Sequence, residues 1–168
     1  MVKTIKNRKT SFEKISCLEM EIVVSDFLDY RKNLIVPNVH WSFFQHELDL
    51  CMLSPAGYCT EIEIKVDKYD LIKDKEKPHG HRDHKIKYLY FAIPDYLMSE
   101  IEHISERAGI IRVFRSTWSS TGLWAEKIRE PQKNPANYKF SEKERVELMR
   151  LLCMRVWGLK KKLSGLLK

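Results

Sequence analysis

Asp49, Glu63 and Lys65 stand in two short runs whose residues alternate in character. The first is His46-Glu47-Leu48-Asp49-Leu50-Cys51-Met52-Leu53, and the second is Cys59-Thr60-Glu61-Ile62-Glu63-Ile64-Lys65-Val66. A period of two is the signature of a β-strand with two distinct faces. Ser54-Pro55-Ala56-Gly57-Tyr58 lies between them. Pro55 suits the first position of a type I turn, and Gly57 suits the left-handed position that closes a three-residue hairpin loop. Such a loop pairs Ser54 with Tyr58, and the register then sets Asp49 opposite Glu63 and Glu47 opposite Lys65 on one side of the sheet. Leu48, Leu50, Ile62 and Ile64 fall on the other side. One face is expected to be core, while the other gathers carboxylates and a lysine.

Two facing carboxylates raise each other's pKa unless a cation sits between them. Oxygen donors of this kind suit Mg²⁺ or Mn²⁺ better than zinc, and Mg²⁺ is usually held by one or two carboxylates together with a substrate phosphate. A metal so held lowers the pKa of its water and polarises a phosphodiester. Lys65, two residues beyond Glu63, would orient that water or stabilise the charge that develops on phosphate. The plainer alternative is a solvated amphipathic hairpin with Glu–Lys pairs across its strands, each contributing a few tenths to about 1 kcal/mol. The residues alone leave both open.

The elements that must position this hairpin are legible on either side of it. Residues 1–15 are polar, basic and aperiodic, and read as a flexible arm ahead of a single domain over 16–168. Ser16-Cys17-Leu18-Glu19 is a capping box, with Met20, Val23, Val24 and Phe27 at helical spacing, which predicts a helix to about Tyr30. Leu34-Ile35-Val36 before Pro37-Asn38 reads as a short edge strand. Asp67 to Lys77 is charged and helical, ending at Pro78. Ile86 to Ile93 is apolar nearly throughout, as in a strand buried on both faces. A short helix over 95–104 and strands over 110–114 and 123–128 follow. Ser141-Glu142-Lys143-Glu144 opens a long C-terminal helix with Leu148, Met149, Leu152, Val156, Trp157 and Leu163 as its apolar face. The fold class is α/β, with one central mixed sheet flanked by helices plus a C-terminal helix.

Composition sets the outer bounds. The 168 residues, 43% of them hydrophobic, suffice for one domain with a real core. No window is long and apolar enough to span a bilayer, and the basic N-terminus lacks the apolar run of a signal peptide. Cys17, Cys51, Cys59 and Cys153 form no CxxC, which argues against a zinc knuckle or a disulfide scaffold and fits a reduced cytoplasm. A net charge of +7, from 30 Lys and Arg against 23 Asp and Glu, favours polyanionic partners.

Asp49, 13 intervening residues, then Glu63-Ile64-Lys65 resembles the PD-(D/E)xK motif of the restriction-endonuclease-like nucleases. Ile35 to Val39, His46 to Leu50, Glu61 to Lys65, Asp70 to Asp74 and Tyr90 to Pro94 are similar to segments of small phage-borne and MmcB-like DNA-repair nucleases. The resemblance covers about 18–113 and leaves the segment beyond it without a counterpart. It departs from the motif in one respect, since Leu48 and not proline precedes Asp49. The resemblance implies an αβββαβ core, Asp49, Glu63 and the Ile64 carbonyl as ligands of Mg²⁺ or Mn²⁺, and Lys65 as the catalytic lysine. It also implies a glutamate from the first helix, for which Glu21 is the choice because Glu19 serves the capping box. Glu47 and Glu61 are spare carboxylates for support or for a second metal.

The expected activity is therefore hydrolysis of DNA in the cytoplasm of a bacterial or phage-infected cell, away from membranes. Two rivals are a non-catalytic nucleic-acid-binding accessory protein and a junction resolvase, the latter requiring a homodimer. Arg31, Lys32, Arg82 and Lys85 are candidate phosphate contacts. His79, His81 and His84 are open between a DNA-facing loop and a plain solvated turn; so short a cluster without a cysteine supplies poor zinc geometry. Trp118 and Trp124 are read as core rather than as base-stacking residues. The basic end Leu159 to Leu163 is read as part of a helix packed on the sheet.

Overall fold

The computed structural model describes residues 14–39, 43–77 and 80–165. Its centre is a six-stranded mixed sheet whose strands stand side by side in chain order. β1 (Leu34–Val39), β2 (Leu48–Leu53) and β3 (Cys59–Ile64) form an antiparallel meander. β4 (Ile86–Pro94) is parallel to β3, β5 (Gly109–Arg115) is parallel to β4, and β6 (Leu123–Arg129) returns antiparallel to β5. Helix α1 (Cys17–Phe27) precedes the sheet, α2 (Lys68–Asp74) fills the β3–β4 crossover, and a 3-10 helix over Asp95–His103 fills the next. Helix α3 (Glu142–Leu163) ends the chain.

Local chemistry explains these boundaries. Ser16 caps α1 through its side chain and Glu19 reaches back to the Ser16 amide at 2.8 Å, so the capping box forms as its residues predict. At the β2–β3 turn Gly57 has φ +85°, Gly57 N–H donates to the Ser54 carbonyl, and Ser54 N–H donates to the Tyr58 carbonyl. The three-residue loop and its register are therefore those expected, and pairs run from Leu53 with Cys59 to Leu50 with Ile62. β1 continues through Pro37 to Val39, because among the described residues it is an edge strand with no outer partner to miss the proline's N–H. The helix expected over 67–77 is shorter, and the one expected over 95–104 winds as a 3-10 helix.

The sheet is covered on both sides. Met20, Val23 and Val24 of α1 pack on Leu50, Ile62, Ile64, Ala92, Ile111 and Val113. Ile15 joins that core at 5% exposure, so the end of the segment read as a flexible arm is packed; residues 1–13 lie outside the described ones. On the opposite side Leu148 of α3 closes over Val36, Leu53, Cys59 and Phe140. Leu71 of α2 and Leu97 of the 3-10 helix close over Leu89, Phe91, Ile93 and Ile110. Leu48, expected to share a side with Leu50, packs with Val36 and Val39 instead.

Helix α3 departs from its expected packing. Leu148 is its buried residue, with Leu151 and Leu152 partly covered, while Met149, Val156, Trp157 and Leu163 are exposed. A helix can seat only the stripe that meets the body, and the second apolar stripe of α3 points away from it. Trp118 and Trp124 are also exposed, contrary to the reading of both as core. Among the described residues no helix is long and apolar enough to cross a membrane.

Glu144 fastens α3 to the body. Its carboxylate accepts from Ser141 at the cap, from Tyr138 Oη at 2.7 Å and from Lys85 Nζ at 3.0 Å. Burial opposes its ionisation, but these donors overcome it and bring the pKa from 4.5 down to about 2. A depressed carboxyl stabilises the fold above its unfolded pKa and loses that contribution as pH falls through the folded value. Glu144→Gln should therefore cost about 1–2 kcal/mol at pH 7. The difference from wild type should shrink between pH 4.5 and about 2, as urea denaturation across that range would measure.

Candidate active site

β3 is buried along its whole length, so the carboxylates on it are not on an open face. This tells against the plainer alternative of a solvated hairpin face. Glu61 and Glu63 project toward α2 and the loop after it, and that cover makes every charge beneath it depend on partners. The sequence pattern could not reveal the cover, because alternation reports only that two faces differ.

The covered charges form a connected set. Lys65 Nζ lies 2.9 Å from Glu63 Oε2, 3.1 Å from Asp74 Oδ1 and 3.7 Å from Asp70 Oδ2. Lys77 Nζ also reaches Asp74, at 2.6 Å, and Glu63, at 3.4 Å. His81 stands between Asp74 Oδ2 on its Nε2, at 2.6 Å, and Glu61 Oε1 on its Nδ1, at 2.7 Å. His46 Nε2 reaches the same Glu61 oxygen at 2.7 Å. Burial works against the charge of Lys65, yet Glu63, Asp74 and Asp49 override it and hold the ammonium well above the usual lysine range. Burial likewise opposes protonation of His81, and the hydrogen bonds to Asp74 and Glu61 overcome it, lifting the pKa to about 9. Asp74 and Glu61 are held below the usual carboxylate range against their burial, by His81 and Lys77 for Asp74 and by His46 and His81 for Glu61.

Asp49 sits at the end of the paired region. The ladder stops at Leu50, and the Asp49 carboxylate accepts the Ile64 N–H at 2.8 Å. Burial and then the neighbouring Glu63 push its pKa up to about 6, against the Ile64 amide, Lys65 and Lys77. Asp49, Glu63, Ile64 and Lys65 are thus brought together. Glu21 is half-buried, and burial raises its carboxyl. The Cys17 thiol is raised by burial and then by Asp49, Glu21 and Asp70, which places Glu21 near the same end of the sheet.

Other expected residues fall elsewhere. Glu47 is exposed, and Lys65 pairs with the carboxylates around it rather than across the hairpin. His81, read as part of a DNA-facing loop or of a solvated turn, is instead buried and bonded inward, because two carboxylates below it need its protons. Lys85 is taken up by Glu144 and lies 5.4 Å from the Tyr138 ring centre, so it is not a free phosphate contact. Arg31, Lys32, Arg82 and His84 are exposed, and His79 lies outside the described residues. His46, Asp74 and Lys77 had no assigned role in the sequence. Asp74 and Lys77 are three apart, the spacing of neighbours on a helix face, but nothing in the sequence places that face against Lys65.

Among the described residues, buried acidic and histidine side chains capable of holding a metal ion are present in two groups, His46–Glu61–His81 and Glu63–Asp74–His81. Both share His81, and neither includes Asp49. Glu61 Oε2 and Glu63 Oε1 are buried without a hydrogen-bond partner.

No protein-family model matches the chain, and no curated protein matches it. Among solved structures it is similar to the SPO1766 protein of unknown function from Silicibacter pomeroyi. The TM-score is 0.58 at 16% identity, over 86% of this chain and 88% of that one. At that identity the likeness speaks for the fold alone.

Removing Asp74 leaves Lys65 and His81 without a main partner under the same cover. Asp74→Ala should destabilise by about 3–5 kcal/mol, the usual consequence of breaking a buried ion pair on one side. Equilibrium denaturation at neutral pH would check this; a loss below about 1 kcal/mol, the level of exposed pairs, would mean that the network is solvated.

Proposed function

We propose that this protein is a divalent-metal-dependent nuclease that hydrolyses DNA phosphodiester bonds with Asp49, Glu63 and Lys65. One observation carries the reading: the site holds more carboxylates than its cations balance. Glu61, Glu63, Asp49, Asp70 and Asp74 make five acids, against Lys65, Lys77 and a protonated His81, or four cations at most with His46 counted. Of these acids Asp49 has its carboxyl raised beside Glu63, and among the described residues Glu63 Oε1 accepts no hydrogen bond. A cation between Asp49 and Glu63 would answer both facts, so the residues fit a bound metal. The resemblance to the PD-(D/E)xK motif adds the Ile64 carbonyl as a further ligand and Mg²⁺ or Mn²⁺ as the ion.

When bound, such a metal polarises the scissile phosphate and lowers the pKa of a coordinated water. The protein's share lies in its own charges. Lys65 stays protonated in this setting, so its role is to offset negative charge building on the phosphate oxygens rather than to take up a proton. Asp74 and Glu63 hold that ammonium from two sides and fix its position. Lys77, partly exposed beside Glu63, extends the positive charge toward solvent, where a phosphate backbone approaches. Arg31, Lys32 and Arg82 are further exposed cations for the strand.

The test is cleavage of plasmid, single-stranded and branched DNA with Mg²⁺, Mn²⁺ or EDTA. Asp49→Ala and Glu63→Ala should abolish metal-dependent cleavage while DNA binding persists. Wild-type rates in either variant would rule the assignment out. Lys65→Ala should lower kcat by roughly 100- to 1000-fold, the usual cost of losing one such stabiliser. A Lys65→Ala protein that melts lower yet cuts at full rate would make Lys65 a structural residue.

A further inference from the structure

Behind the Asp49–Glu63 end of the site, three donors from separate segments meet at one point. His46 comes from the segment before β2, Glu61 from the middle of β3, and His81 from the loop after α2. We infer that His46, Glu61 and His81 form a second, buried site for a first-row transition ion of the zinc kind, apart from the proposed Mg²⁺ site. His46 Nε2 and His81 Nδ1 each lie 2.7 Å from Glu61 Oε1, and the ligand atoms are all within 4.8 Å of one another. Two imidazole nitrogens with a carboxylate are the donors that zinc-like ions take, whereas Mg²⁺ calls for oxygen.

Two independent features point to a ligand rather than to a finished hydrogen-bond cluster. Glu61 is fully buried, yet its Oε2 has no hydrogen-bond partner. Binding through both oxygens would use that atom and bring the donor number to four, the usual count for zinc. The other ring nitrogen of His81, Nε2, lies 2.6 Å from Asp74 Oδ2. A histidine that ligates a metal through one nitrogen characteristically gives its other N–H to a carboxylate, which fixes the ring and strengthens the ligand. Edge-on contacts hold the rings as well, His46 to His81 at 5.3 Å and His81 to Phe91 at 5.6 Å between centres. The ion would replace the hydrogens that bridge both nitrogens to Glu61. With exposures of 7%, 0% and 4%, the three ligands leave no open position for substrate, so the ion is structural. It would clamp the 43–47 segment and the 80–85 loop onto β3.

The test uses full-length protein carrying Cys17→Ser and Cys153→Ser, which removes the two exposed thiols. Stripped with a chelator, it is titrated with Zn²⁺ by calorimetry and with Co²⁺ by visible absorption. One equivalent should bind with the strong visible bands of four-coordinate Co²⁺, and Zn²⁺ should raise the melting temperature by several degrees. The bands should vanish in His46→Gln and Glu61→Gln and persist in Asp49→Asn/Glu63→Gln, which separates this site from the nuclease reading whatever the DNA assays give. Stripped, folded protein that takes up neither ion at submillimolar concentration overturns the inference. So does a folded His46→Gln protein that keeps full stoichiometry, or loss of the bands in Asp49→Asn/Glu63→Gln.

Discussion

The molecule turns on the contact between Lys65 and Asp74, 3.1 Å apart between the end of the fully buried strand β3 and helix α2. An ammonium and a carboxylate taken out of water repay their desolvation only where further hydrogen bonds complete both groups. Here those further bonds come from Glu63 on the Lys65 side and from Lys77 and His81 on the Asp74 side. His81 then needs a second acceptor and finds it in Glu61. One buried lysine just past β3 thus commits the end of α2, the loop beyond it and the middle of the strand to a single arrangement. The loop carries little regular structure, and its place is set by charge rather than by packing.

The same dependence explains why carboxylates on the two strands of one hairpin behave differently. Glu61 lies under two imidazoles and is held ionised. Asp49, at the hairpin's open end, has one backbone amide and a like-charged neighbour, and its carboxyl is raised. Environment, not residue type, divides the acids into those that hold the scaffold and the one left with charge to offer. The likeness to the Silicibacter pomeroyi structure extends over most of both chains and agrees with the fold, and the chemistry stands on these side chains.

Much of the scaffold was legible because it rests on local rules. Ser16 with Glu19 and Ser141 with Glu144 form the capping boxes their spacing announces, and Pro55 with Gly57 sets the hairpin register. That register brought Asp49, Glu63 and Lys65 into view together. What could not be read depends on distant chain segments. Burial of the Glu63 side comes from α2 and the 80–85 loop, and nothing in the alternation of β3 foretells that cover. His81 looks, in sequence, like one of three loop histidines, and its role follows only from the two acids it meets. In α3, Met149 and Leu148 are adjacent apolar residues on an amphipathic helix, and only contact with Phe140 and Val36 decides which is buried.

The edge strand β1 has one more bearing on how the protein lives in solution. A free strand edge is a template for another chain's backbone, and long exposed edges invite fibrous growth. Pro37 removes a donor from this one, and the Asn38 carbonyl is occupied by the Arg155 guanidinium of α3. The outer margin of β1 is therefore a poor seat for an incoming strand. At the opposite margin β6 carries Glu126, Lys127 and Arg129, whose charges discourage stacking of like strands. Strand addition is discouraged at one margin by a missing hydrogen and a filled carbonyl, and at the other by charge.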